Sequence, residues 1–369
     1  MSSDKPSIEN AVQSLLSVNM GLQEDERLLI LGDSAGDGGK LAKEVGEAAQ
    51  KLHPRTRTLI FDPAGGHGQE PPREVWETLF GEQVVDRLDS EGLLAPLLSK
   101  AGDLRTLESA SRIIEGSGGA RAAVVVAVTR FSTSHTSFRK LLNQACGVRY
   151  ASMPNFEREM FFGSMDVDWE QLAVSTNLLA RALEGADRCE ISSPNGTRLV
   201  LGIKERPVTP DDGMLTRNGK FGNLPAGEVF LAPVEGTAEG ILVLEWGPLA
   251  RFKSPLTVTI EGGKVVSVNG DISDEVNWLK ELLSAHPNNT NIAELGIGTN
   301  QAATRPDNVL ESEKILGTVH VAFGDNHTFG GVVKAPLHQD FVLFDATLVA
   351  VWETGGGRRM LLDNGKRGW

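Results

Sequence analysis

Arg27-Leu28-Leu29-Ile30-Leu31-Gly32-Asp33 is a short apolar run closed by glycine and aspartate. That is the pattern of a parallel strand buried on both faces. Downstream, Leu41, Val45, Ala48, Ala49 and Leu52 recur at helical spacing across Lys40 to Leu52. Thr58 to Asp62 (TLIFD) returns as a strand, and Ala122 to Thr129 is a third. Trp169, Leu172, Ala173, Thr176, Leu179, Ala180 and Leu183 mark an amphipathic helix that ends at Gly185. Strands alternating with helices pair in parallel through right-handed crossovers, so residues 1–187 are expected to form an α/β domain with a parallel sheet.

Near residue 188 the punctuation changes. Cys189 to Ser192, Pro194-Asn195-Gly196 and Thr197 to Ile203 read as a hairpin built on an Asn-Gly turn. Leu256 to Ile260 and Val265 to Val268 flank Glu261-Gly262-Gly263-Lys264 in a second hairpin. Glu228 to Ala232, Gly240 to Glu245 and Phe341 to Val351 are also strand-like, and helices are expected over Ser273 to Ala285 and roughly Glu311 to Phe323. Residues 188–369 therefore read as a mainly antiparallel, β-rich (α+β) domain.

Composition narrows the classes. With 369 residues, 40% apolar and 23% charged, the chain reads as a soluble protein of two domains. Its longest apolar run, Ala122 to Val128, is too short to span a bilayer, and no basic segment precedes an apolar N-terminal stretch as in a secretory signal. Cys146 and Cys189 read as small buried hydrophobes in a reducing compartment, so a cytoplasmic location is expected. A net charge of −13 argues against a nucleic-acid partner, which requires a clustered basic face.

Two motifs fail on inspection. Gly32 to Lys40 (GDSAGDGGK) follows a strand and opens a helix, but a phosphate-binding loop needs glycine at Ser34 and a hydroxyl at Leu41. Ser132, Ser134 and His135 lack any nucleophile-elbow pattern.

Metal chemistry is the stronger signal. Four of the seven histidines, His286, His320, His327 and His338, fall in the last third of the chain. Imidazole with carboxylate is the donor set of divalent metal sites. On an extended strand His338 and Asp340 point to the same side, with Gln339 opposite. A histidine bonded to an exposed aspartate on an edge strand fits that pair equally well. His320 lies beside the stripe Ile315, Leu316, Val319 and Phe323, where a satisfied core histidine is the plainer reading. His327 sits in a loop with glycines at both ends, Gly324 to Gly331. Glu228 opens a strand, and Glu294 lies in an otherwise apolar segment, where a carboxylate is costly unless paired or metal-bound.

With these residues in view, the chain resembles the aminopeptidase T family of thermophilic leucyl-type metallo-aminopeptidases. The matching stretches are Asn223 to Gly240 (NLPAGEVFLAPVEGTAEG), Ala293 to Asn300 (AELGIGTN), Gly317 to Gly331 (GTVHVAFGDNHTFGG) and Leu337 to Phe341 (LHQDF). The resemblance implies a homodimer and two divalent metal ions, zinc, cobalt or manganese, on Glu228, Glu294, His320, His338 and Asp340. It places Glu294 as the bridging carboxylate. His327 stands where that family has tyrosine, and would ligate metal or transfer protons; Glu311 or Glu313 would be the general base. The implied activity is a hydrolase removing N-terminal residues from a peptide or small amide by a metal-activated water. The same C-terminal region also looks similar to ring-cleaving 2,5-dihydroxypyridine dioxygenases, for which two histidines and one carboxylate would hold iron(II). A non-catalytic metal-binding relative is the third alternative.

Overall fold

In this computed structural model, which describes residues 7–36 and 38–369, Leu28–Asp33 is the second strand of a five-stranded sheet. The spatial order is Thr56–Phe61, Leu28–Asp33, Val124–Val128, Arg149–Ser152 and Phe221–Asn223, and every neighbouring pair is parallel. Leu28–Asp33 and Val124–Val128 are buried along their whole length, as runs lacking a polar alternation must be. Asp37 of the rejected phosphate-loop segment lies outside the described residues. Ser132 and Ser134 belong to a hydroxyl chain, Ser132 Oγ to Ser134 Oγ at 2.9 Å and on to Ser152 Oγ at 3.2 Å.

The chain divides into two compact units. One contains the described residues up to Trp169 with Gly213–Pro225; the other contains Glu170–Asp212 with Ala226–Trp369. Sequence punctuation alone suggested one division, at 187/188. The first unit packs Leu29, Leu31, Val125 and Ala127 of its sheet against an aromatic group of Trp76, Phe80 and Phe138.

The second unit holds two antiparallel sheets. The larger runs Lys264–Asn269, Arg251–Glu261, Glu239–Trp246, Arg198–Gly202, Arg188–Ser192, Thr347–Trp352, Gly357–Asp363 and Lys366–Arg367. The smaller runs His338–Leu343, Val319–Gly324, Ile292–Gly298, Glu228–Leu231 and Thr209–Asp211. Leu199, Leu201, Leu242 and Val258 of the first share one core with Val229, Leu295, Ile297, Val321 and Phe341 of the second. Alternation along each strand turns Glu228, His320, His338 and Asp340 to the smaller sheet's other face, together with Phe230, Ala322 and Val342. No helix among the described residues is long and apolar enough to cross a membrane.

The helix expected over Glu311 to Phe323 is absent. A short helix, Val309–Ser312, gives way to a turn, and Val319–Gly324 is a strand. Val319, Val321 and Phe323 enter the core at a period of two, which the helical reading of Val319 and Phe323 had masked. The helix has ended by Glu313, and Ile315 bridges to Asn300; Gly317 then makes the turn into the strand, its φ +86° and an added Cβ there 1.9 Å from the Gly365 carbonyl oxygen.

Candidate metal centre

Four strands of the smaller sheet deliver the polar cluster. Val229 and Leu231 point into the core, so Glu228 points away from it. Ile292, Leu295 and Ile297 face the core, and the register shifts between Ile292 and Glu294. That irregularity moves Glu294 onto the polar face, where an unbroken alternation from Ile292 would have buried it in the core. Glu294 shares that face with Gly296, which pairs with His320 on the next strand. Phe341 and Leu343 face the core, leaving His338 and Asp340 on the same side as His320.

The donors converge. His320 Nε2 lies 3.3 Å from Glu228 Oε2 and 3.5 Å from Glu294 Oε1. His338 Nε2 lies 3.2 Å from Glu294 Oε2 and 3.7 Å from Asp340 Oδ1. Two groups have ligand atoms all within 4.8 Å of one another and so could hold a metal ion: Glu228, Glu313 and His320; and Glu294, His320 and Asp340. Buried polar atoms are normally hydrogen-bonded. Here Glu228 Oε2, both ring nitrogens of His320 and Asp340 Oδ1 are buried without a hydrogen-bond partner. Oxygen and nitrogen lone pairs held this close, and left unsatisfied, fit a divalent cation.

His338 is prepared as a ligand. Its Nδ1 lies 2.7 Å from the Asp325 carbonyl, an acceptor only, so Nδ1 keeps a proton and Nε2 is the nitrogen that presents a lone pair once the ring is neutral. The ring also meets the edge of Phe329, centroids 5.7 Å apart, and Phe329 meets Phe230 at 5.7 Å.

Charge is tightly balanced. Burial opposes ionisation of Glu294, yet the His320 and His338 rings hold its carboxyl down to about 2. Burial works against the imidazolium forms too, but Glu294 with Glu228 and Asp340 lifts His320 to about 9, and Asp340 with Glu294 lifts His338 to about 10. Burial pushes Asp340 up to about 6 against the pull of His338. Protons here substitute for the positive charge that a metal ion supplies.

Lys314 is the residue the sequence did not disclose. Its side chain is fully buried, with Nζ 2.7 Å from Glu228 Oε1 and 2.5 Å from Glu313 Oε1. Glu313, expected as a general base, is thus ion-paired, and burial raises its carboxyl against the pull of Lys314. Glu311 accepts the backbone N–H groups of Thr304 and Arg305. His327 is exposed, pairs through Nδ1 with the Asp325 carboxylate at 2.8 Å, and belongs to neither ligand group.

The profile of the 2,5-dihydroxypyridine 5,6-dioxygenase (NicX) family matches residues 165–350, half of the chain. The 2,5-dihydroxypyridine 5,6-dioxygenase of Pseudomonas putida KT2440 is 25% identical over 177 residues, 44% of this chain. The alignment spans 50% of that relative's length. Among solved structures, a 2,5-dihydroxypyridine dioxygenase from Pseudomonas putida KT2440 superposes with a TM-score of 0.70 at 19% identity, covering 99% of this chain and 98% of the other. Wild-type AmpT from Thermus thermophilus superposes with a TM-score of 0.57 at 16% identity, covering 98% and 99%. At such identities the two structures show a shared fold.

These findings overturn the aminopeptidase reading, and with it the hydrolase and proteolysis assignments. The matching profile and curated relative are those of dioxygenases, which are oxidoreductases. Glu228 is held by the Lys314 ammonium at 2.7 Å, so a carboxylate at that position does not imply a second metal ion.

Proposed function

Because the chain belongs to the 2,5-dihydroxypyridine 5,6-dioxygenase (NicX) family, we propose that it is an iron(II)-dependent oxidoreductase that opens a dihydroxylated nitrogen heteroaromatic ring with dioxygen. The observation carrying this reading is that Glu294 lies between two imidazoles, 3.5 Å from His320 Nε2 and 3.2 Å from His338 Nε2, with Asp340 grouped with Glu294 and His320 and 3.7 Å from His338. Two histidines and one carboxylate are the ligand set of mononuclear iron(II) oxygenases. Iron(II) bound there supplies the one-electron chemistry by which dioxygen reacts with a closed-shell ring.

The chain's own residues do the rest. His338 keeps its proton on Nδ1, bonded to the Asp325 carbonyl, which fixes the ring and directs Nε2 inward. Glu294, held ionised between the two imidazoles, is a fourth donor and a permanent negative charge, not a store for protons. Phe329, beside His338 and Phe230, offers an aromatic edge against which a flat substrate ring packs. Both oxygen atoms enter the product while one ring carbon–carbon bond breaks, so no external reductant is required.

Anaerobically purified protein loaded with iron(II) tests the reading. With 2,5-dihydroxypyridine, oxygen uptake should match loss of the ring's ultraviolet absorbance, and label from heavy dioxygen should appear in the product. Fully iron-loaded protein that consumes no oxygen with this ring or its dihydroxylated analogues refutes it.

A further inference from the structure

We propose that the Lys314 ammonium occupies the position of a second cation, tying up Glu228 and Glu313 so that the centre accepts a single divalent ion. The inference rests on the metal-centre reading above but is independent of the substrate.

Glu228, Glu313 and His320 have ligand atoms within 4.8 Å of one another, close enough to hold a cation. His320 is 0% exposed, and its ring nitrogens have no hydrogen-bond partner. Into this group the chain inserts its own cation, Nζ bonding one oxygen of each carboxylate. A tethered ammonium has three donors and no capacity to ligate a metal while protonated. It offsets charge on Glu228 and Glu313, leaving Glu294, His320 and Asp340 for the ion, with His338 beside Glu294 and Asp340 at 3.2 and 3.7 Å.

The backbone that carries Lys314 is built to hold it there. Asn300 N–H donates to the Lys314 carbonyl at 2.9 Å, and Leu316 N–H donates to the Asn300 carbonyl at 3.0 Å. Gly298 permits the approach, since an added Cβ would lie 2.0 Å from the Ile315 carbonyl oxygen. Asn300 Nδ2 also donates to the Ala226 carbonyl at 2.9 Å, two residues before Glu228. One asparagine thus sets the lysine and one of its carboxylates in mutual register. A fixed internal cation cannot be displaced by a dissolved ion without moving that backbone.

Manganese(II) alone, titrated into metal-free protein, provides the test. Wild-type protein should bind one ion per chain at saturation and give the paramagnetic resonance of an isolated ion. Lys314→Gln should bind two, with the exchange-coupled spectrum of neighbouring ions, while Lys314→Arg should stay at one. Two ions in the wild type, or one in a folded Lys314→Gln chain, would overturn the proposal. Removing one partner of a buried ion pair is strongly destabilising, so thermal unfolding accompanies the titration. If Lys314→Gln is unfolded without metal, the second equivalent should restore its melting transition; no response to manganese would equally overturn the proposal. None of these readouts involves oxygen uptake, so failure of the dioxygenase assay leaves them unchanged.

Discussion

Gly296 and His320 face each other across the ladder, and a Cβ added to Gly296 would lie 1.9 Å from His320 Nε2. The Nε2 and Cε1 end of the imidazole therefore takes up the space where a side chain at 296 would begin, and its position depends on that space. Gly296→Ala should push His320 off Glu228 and Glu294 without demanding an unusual backbone conformation. Metal affinity should fall about 10- to 100-fold, the range seen when a group that orients a ligand is lost. Chelator competition measures this, with circular dichroism checking the fold. Undiminished affinity would mean that the two strands separate to admit the methyl group.

His338 and His327 both contact Asp325, one through its carbonyl and the other through its carboxylate. Their variants should nevertheless diverge. His338→Ala removes a donor within 3.2 Å of Glu294 and should abolish stoichiometric metal binding together with oxygen uptake. His327→Phe should leave metal content at the wild-type level, because that ring is exposed and pairs with the Asp325 carboxylate, which is in neither ligand group. Loss of metal from the His327 variant would place it among the ligands after all.

Much of the polar face was legible because strand alternation is a strict rule. Glu294 stood out as an acid in an apolar segment, and His338-x-Asp340 announced a shared face. Three features were not readable. The register shift before Glu294 depends on pairing with Val319–Gly324, which no local pattern encodes. His320 was assigned to a helix because Val319 and Phe323 satisfy periods of both two and nearly four. Lys314 follows Glu311-Ser312-Glu313, which reads as a solvated helix face; only the close packing of Gly298 against Ile315 turns the ammonium inward. The chemistry was misassigned for a related reason. Carboxylate identity is visible in a sequence, but the cation that each carboxylate holds is not.

Protonation should oppose metal uptake in a defined window. Without metal, His320 and His338 are raised to about 9 and about 10, against an ordinary value of 6.5. Bases raised in the folded state contribute stability that is complete below the unfolded value and disappears as pH climbs through the folded values. The metal-free protein should therefore lose stability between about pH 6.5 and 10. Metal binding needs neutral imidazoles, so at pH 7 each bound ion should release about two protons, and apparent affinity should rise with pH over the same window. Calorimetric titrations in buffers of different protonation enthalpy count those protons. A count near zero would contradict the charge balance described here.

Asn300 should matter for stability more than its distance from any ligand atom suggests. Its Nδ2 donates to the Ala226 carbonyl at 2.9 Å, and its Oδ1 accepts the backbone N–H groups of Ala302 and Ala303 at 2.9 and 3.2 Å. The residue is fully buried, so Asn300→Ala leaves the Ala226 carbonyl and the Ala303 N–H unsatisfied in buried surroundings and the Ala302 N–H in partly buried ones. Each orphaned group costs on the order of 1–3 kcal/mol, and partial relaxation of the surface-facing turn should bring the total to about 3 kcal/mol. Urea unfolding measures the loss directly. Because the Asn300 backbone still pairs with Lys314 and Leu316 in that variant, manganese stoichiometry should stay at one ion per chain. A change below about 0.5 kcal/mol would show that the side chain is dispensable and that backbone pairing alone sets the register of Lys314 against Glu228.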